Sequence, residues 1–289
     1  MATPRTLRQV WAASNTPIGQ MPMRQPLPMP GLADLNPFLL LHHHGPHRFA
    51  PGSGGLPFGP HPHRGIQTVT FFLQGEGVHQ DNLGNRFEVA QGGVQWMVTG
   101  GGILHAEQLT ERMLQAGGTA ELMQLWVNLP ARRKGEAPSY HGLQAADLPT
   151  LLLDQGRAQL TLVAGPYDGT PAAYPAQDGL HLYLLRLLPG ADLTLDLPAD
   201  DVVLCYTVRG QAQVAGAPLP AHSLAQLHPG GTTLHLAAEA EALLLLGWAP
   251  PLDEPIVAHG PFVMNTEQEI HQAYDDFRHG RFGTWQGTL

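Results

Sequence analysis

The sequence carries a single cysteine, Cys205, so no disulfide can close within the chain. Its apolar setting, Val202-Val203-Leu204-Cys205-Tyr206, suits a core filler better than a nucleophile, and a reducing compartment is expected. Long apolar runs are missing as well: none reaches the roughly 20 residues that span a bilayer, and the N-terminus lacks the charged-then-apolar plan of a signal peptide. The expectation is a cytoplasmic protein with no membrane partner. Cations are scarce: 15 Lys and Arg face 24 Asp and Glu, a formal charge of -9, which argues against direct nucleic-acid binding. The one basic run, Arg132-Arg133-Lys134 beside Leu129-Pro130, reads as a solvated turn and is short for a localisation signal.

Turn formers, by contrast, are plentiful. With 34 Gly and 27 Pro among 289 residues, the chain favours short strands and turns over long helices, and 43% hydrophobic residues suffice for real cores. An all-β protein of two domains is expected at this length.

The chain is organised around two short pairs, His61-Pro62-His63 and His105-Ala106-Glu107. Residues two apart on a strand share a face, so each pair can aim its donor atoms at one point. Two such pairs on adjoining strands would bring together three imidazoles and a carboxylate, a set suited to iron, nickel, copper, manganese or zinc rather than calcium or magnesium. A His-x-His pair on a strand is more often a surface feature, but the surroundings favour ligation. The first pair leads into Ile66-Gln67-Thr68-Val69-Thr70-Phe71-Phe72-Leu73 and the turn Gln74-Gly75-Glu76-Gly77; the second follows Gly100-Gly101-Gly102-Ile103-Leu104. Ligand strand, hairpins and returning ligand strand are how a small antiparallel barrel builds a site inside itself. Phe71, Trp96 and Met97 are candidates for walls that receive a flat ligand, although plain core packing is the commoner fate of such residues.

His61-Pro62-His63-Arg64-Gly65, Asp81-Asn82-Leu83-Gly84-Asn85-Arg86, Gly93-Val94-Gln95-Trp96-Met97 and Gly102-Ile103-Leu104-His105-Ala106-Glu107 together resemble the pirin family of the cupin superfamily. Leu122-Met123-Gln124-Leu125-Trp126-Val127-Asn128-Leu129 and Gly260-Pro261-Phe262-Val263-Met264-Asn265-Thr266 are also similar to pirin motifs. The resemblance implies a bicupin, two antiparallel β-barrel or jelly-roll domains, with His61, His63, His105 and Glu107 as metal ligands. It implies one divalent metal, iron foremost, with Mn, Ni, Co, Cu or Zn as other occupants. It further implies a quercetin 2,3-dioxygenase-like activity on a flavonol-like aromatic substrate and O2, with CO released and Glu107 as the catalytic proton acceptor. The other function seen in such proteins is redox-sensitive regulation through contact with a transcription factor or metabolic enzyme, without turnover. A monomer is the default expectation. The chain departs from the family at His42-His43-His44, where an acidic or mixed segment is usual, and at Gln91-Gly92-Gly93, where Pro-Gly-Asp is usual. His42 and His44 share a face, and the role of the triplet stays open: lining the cavity mouth is one reading, and primary ligation is a weaker one because four better-placed ligands exist.

Residues 121–129 are expected to close the first barrel, with residues 131–149 as a polar linker. The domains would then be 1–149, metal-binding, and 150–289, cupin-like without a metal site. Internal similarity supports a repeat: Phe72-Leu73-Gln74-Gly75-Glu76 resembles Thr207-Val208-Arg209-Gly210-Gln211. The second copy has Leu195-Asp196-Leu197 where the first has its His pair, so the repeat does not extend to the chemistry. Near the N-terminus, Arg8-Gln9-Val10-Trp11 could start a strand. Finally, Thr266-Glu267-Gln268-Glu269 has capping-box spacing, and Ile270, Ala273, Tyr274 and Phe277 recur at helical spacing until Gly280, which predicts a short C-terminal helix.

Overall fold

The computed structural model describes residues 2–32, 35–175 and 177–289. The chain forms two compact units, each assembled from separate stretches of sequence. One comprises Thr16–Met23, Phe38–Ala145 and Leu252–Leu289; the other comprises Met1–Asn15, Arg24–Pro37 and Ala146–Pro251.

In the first of these, strands Ser139–Leu143, Val94–Val98, Ile66–Gln74, Gly118–Asn128 and Phe38–Phe49 lie side by side in that order, all antiparallel. A second sheet orders Phe58–His63, Ile103–Leu109, Gly77–Asp81 and Arg86–Val89. The sequence explains the strands: β-branched and aromatic runs are punctuated by Gly-rich turns, and from Phe58 to Val98 only Arg86–Val89 pairs with its predecessor, the chain otherwise crossing between the two sheets. Between the sheets, Phe49, Leu56, Phe72, Val89, Leu109, Met113 and Leu122, with Phe58 and Phe87 against them, make an apolar floor.

Two expectations need correction here. The stretch expected to be a linker contains the Ser139–Leu143 strand, which pairs in full with Val94–Val98. Its Gly142 lies so close to the Phe87 ring that a Cβ there would approach to 2.3 Å, which is why no larger residue marks the strand. The basic run is not a solvated turn either, because Arg133 and Lys134 are 9% and 3% exposed. Arg133 pairs with Glu136 at 2.6 Å, and Lys134 is held by three oxygens.

The tail of this unit forms the hairpin Val257–His259/Phe262–Met264 and the helix Glu267–Arg278. Thr266 and Glu269 close the expected capping box, and Ile270 and Ala273 pack with Phe262, Phe282 and Leu104. A further short helix, Glu111–Ala116, capped by Thr110, carried no periodic signal long enough to predict it.

The other unit is again two antiparallel sheets. Seven strands run in the order Leu7–Ala12, Ser223–Leu227, Val202–Arg209, Ala242–Ala249, His181–Leu187, Ala158–Ala164, Thr150–Leu153. Four more run Ala191–Asp196, Thr233–Ala238, Gln211–Val214, Ala217–Pro220. The strand expected at Arg8–Trp11 is thus the edge of this sheet, paired with Ser223–Leu227. Leucines dominate the core, and Cys205 lies fully buried within it, its thiol pushed up to about 12 by burial. Among the described residues no helix is long and apolar enough to cross a membrane.

Candidate metal centre

The two ligand strands are direct neighbours. In the pairing of Phe58–His63 with Ile103–Leu109, His61 faces His105 and His63 faces Ile103. Because side chains alternate, His61, His63 and His105 project to one side, and their ring nitrogens converge to within 4.8 Å of one another. Ring centroids lie 4.3 Å apart for His61 and His105, 4.9 Å for His61 and His63, and 5.1 Å for His63 and His105.

Protonation can be read from the partners. His61 Nδ1 lies 2.7 Å from Gly59 O and His63 Nδ1 lies 3.2 Å from Pro261 O. A carbonyl only accepts, so each imidazole carries a proton on Nδ1, and Nε2 is the nitrogen that its neutral form leaves free. His63 Nε2 is buried without a partner, and so are both ring nitrogens of His105. Burial, reinforced by His61, lowers the His63 pKa to about 3, and burial with His61, His63 and His79 drives that of His105 well down. Three converging imidazoles, two of them held neutral by burial, fit a transition ion, which takes neutral imidazole as ligand.

Glu107 lies outside that converged cluster but on the same inner side. Thr70 Oγ1 donates to its Oε1 at 3.1 Å and Gln124 Nε2 to its Oε2 at 2.8 Å. The Gln124 amide is itself oriented, since Trp126 Nε1 donates to Gln124 Oε1 at 3.2 Å. Each carboxylate oxygen keeps a lone pair beyond these bonds. Thr70 and Gln124 were not visible as site residues in the sequence, because a threonine and a glutamine on barrel strands carry no motif.

The strand register also sorts the walls. His42, Gln124, Thr70 and Gln95 are successive cross-strand partners, so their side chains form one row on the inner face. Met97 shares this face, two residues beyond Gln95, whereas Phe71 and Trp96 alternate to the other face, and Trp96 Nε1 donates there to Gln67 Oε1. The aromatic wall is instead Trp126, half-buried, with its ring 5.1 Å from that of His63. The histidine triplet divides in the same way. His42 and His44 face inward, while His43 points outward and meets the buried Glu121 at 2.8 Å.

Neighbouring elements hold the site in place. Asp81 Oδ1 accepts from Leu83 N at 2.9 Å and Asn85 N at 3.1 Å, and its Oδ2 lies 3.1 Å from His79 Nε2. The turn is therefore an Asx-type bend that also anchors a histidine ring. That ring stacks on Tyr140 at 3.9 Å and 9°. Lys134 Nζ donates to Gly65 O, Asn128 Oδ1 and Val263 O at 2.8, 2.6 and 2.9 Å, which ties the turn after His63 to the C-terminal hairpin. Arg64 adds an ion pair with Asp276 at 2.8 Å.

A pair of antiparallel double-sheet barrels, one with three converging imidazoles that could hold a metal ion, is the architecture of a bicupin. Comparison with known proteins narrows the class. The Pirin family model matches residues 20–127 and the Pirin C-terminal cupin domain model matches residues 182–283. This chain belongs to the pirin family. A Pseudomonas aeruginosa protein, PA2418, described as a candidate quercetin 2,3-dioxygenase, is 39% identical over 86% of this chain and 87% of its own length. A pirin-like protein of Caulobacter vibrioides is 37% identical over 86% and 87%. A crystal structure of quercetin 2,3-dioxygenase from Acinetobacter baumannii superposes with a TM-score of 0.91 at 34% identity, covering 97% of this chain and 99% of that one.

Proposed function

We propose that this protein is a metal-dependent dioxygenase of the pirin type, which opens a flavonol such as quercetin with O2 and releases CO. The observation that carries the proposal is His105: a buried imidazole, neither nitrogen partnered, against two imidazoles whose protons point away from it. A side chain left so is costly unless something absent from the protein completes it. The donor set suits a divalent transition ion, and membership of the pirin family favours iron, with Mn, Ni, Co, Cu or Zn as alternatives. His61, His63 and His105 would hold the ion, with Glu107 as fourth ligand through the lone pairs left by Thr70 and Gln124.

When bound, such an ion acidifies a chelated enol hydroxyl and makes it reactive toward O2. Glu107 would receive the hydroxyl proton at a carboxylate oxygen, a role that its position beside the imidazole strand supports. Gln124 and Thr70 keep that carboxylate aimed, and Trp126 offers a flat face for an aromatic ring beside His63. The names of the 39% and 34% identical relatives support the same reaction. The chemistry is assigned to the unit that comprises Thr16–Met23, Phe38–Ala145 and Leu252–Leu289, and the other unit is assigned none.

The test is oxygen-dependent loss of the quercetin absorption band by protein loaded separately with iron, manganese, nickel, cobalt, copper and zinc. Turnover with at least one redox-capable ion, reduced to background in His61→Ala, is expected. Stoichiometric metal with no turnover for any ion would sink the proposal and favour a regulatory role.

A further inference from the structure

The inner polar row changes character along its length. His42 and Gln124 are half-buried, Thr70 is 2% exposed and Gln95 is 3% exposed, so the row descends from the mouth into the barrel. Thr70 and Gln124 are committed to Glu107. Gln95, next along, is committed to nothing: both its Oε1 and its Nε2 are buried without a partner. One residue type explains neither fact, since the adjoining positions on this strand, Val94, Trp96, Met97 and Val98, are apolar and equally buried.

A second unpartnered group stands beside it. Tyr140 pairs with Met97 in register while Gly142 pairs with Gln95, which puts Tyr140 diagonally across from Gln95 on the inner face. Its hydroxyl is buried and makes no hydrogen bond, although its ring is fixed by the stack on His79. Buried side-chain polar atoms are nearly always paired, so an amide and a phenol left open together mark a place where a ligand group or an ordered water completes them. An amide that offers both a donor and an acceptor, beside a phenol that can do either, is complementary to a hydroxyl and not to a bare aromatic edge.

We infer that Gln95 and Tyr140 form a specificity subsite that takes a non-coordinating hydroxyl of the substrate, so that the enzyme selects polyhydroxylated chelating enols over those lacking such a hydroxyl. This rests on the flavonol reading of the metal centre. A site built to hydrogen-bond a substrate hydroxyl rejects the analogue without it far more strongly than an apolar pocket does, because the analogue leaves both site groups buried and open.

The experiment compares quercetin with 3-hydroxyflavone, which keeps the chelating oxygens and lacks the remaining hydroxyls. Binding to zinc-loaded protein is followed without oxygen by the shift of the ligand's absorption band, with melting temperature and zinc content measured alongside. Wild type is expected to bind quercetin at least about tenfold more tightly than 3-hydroxyflavone. Gln95→Met and Tyr140→Phe are each expected to remove most of that ratio by weakening quercetin alone, at unchanged zinc content. Equal affinity of wild type for the two flavones overturns the subsite and leaves the metal reading standing. So does an unchanged ratio in both variants with altered melting only, which would mean that an ordered water fills the place. Failure of wild type to bind either flavone overturns the flavonol reading and the subsite with it.

Discussion

Replacing Lys134 by Met tests how the turn bearing His63 is held. The ammonium is 3% exposed and donates to Gly65 O, Asn128 Oδ1 and Val263 O. Met has similar reach and no donor, so each of the three acceptors loses one buried hydrogen bond, Gly65 O keeping that from Leu129 N, at about 1–3 kcal/mol each. Against this stands relief of a buried charge: burial, opposed by Glu254 and Glu269, lowers the lysine pKa from 10.5 to about 8, a penalty of about 3 kcal/mol at neutral pH. The net expectation is a loss of up to about 6 kcal/mol in unfolding free energy, read from urea denaturation of the metal-free protein. The gap has a pH signature. The unfolded lysine keeps its proton to higher pH than the folded one, so wild-type stability from this group rises between about pH 8 and 10.5, and the variant has no such rise. Metal affinity should also fall, by about 10–100-fold, because Gly65 and Val263 flank the bond from His63 Nδ1 to Pro261 O. A variant that keeps both the alkaline rise in stability and full metal affinity would refute the reasoning.

Other perturbations reach the same region. Gly65 has φ +83, and a Cβ there would stand 1.9 Å from Val263 O, so Gly65→Ala should cost more than about 3 kcal/mol or prevent folding, as measured by thermal melting. Acid should destabilise the metal-free protein. Burial lowers the pKa of His44 and of His63 from 6.5 to about 3, so the unfolded chain takes up these protons first as pH falls below 6.5. Stability is then full above about pH 6.5 and falls at about 3 kcal/mol per pH unit for the two groups together toward pH 3; a flat urea midpoint between pH 7 and pH 5 would contradict this.

The histidine pairs were legible because ligation by adjoining strands imposes a spacing of two, which survives in one dimension. The capping box at Thr266 and Glu269 was legible for the same reason, being a contact between near neighbours. What stayed hidden acts over distance or lacks a pattern. Ile66–Gln74 is buried on both faces along most of its length, so no alternation told which of Thr70 and Phe71 turned inward. Tyr140 sat in a stretch rich in polar and turn residues, and only its pairing with Met97 makes that stretch a strand. Lys134 looked solvated because a basic run usually is; its burial follows from three carbonyl-type oxygens that no side-chain motif announces.

The bond from His63 to Pro261 spans 198 residues and ends on a backbone carbonyl. Synthesis at about 5–20 residues per second puts roughly 10–40 s between emergence of the histidine and emergence of its acceptor. Through that interval the nascent chain exposes His61, His63 and His105 without the carbonyl that fixes the proton of His63. The tautomer of His63 that would present Nε2 is therefore fixed only once Pro261 has emerged and docked beside it.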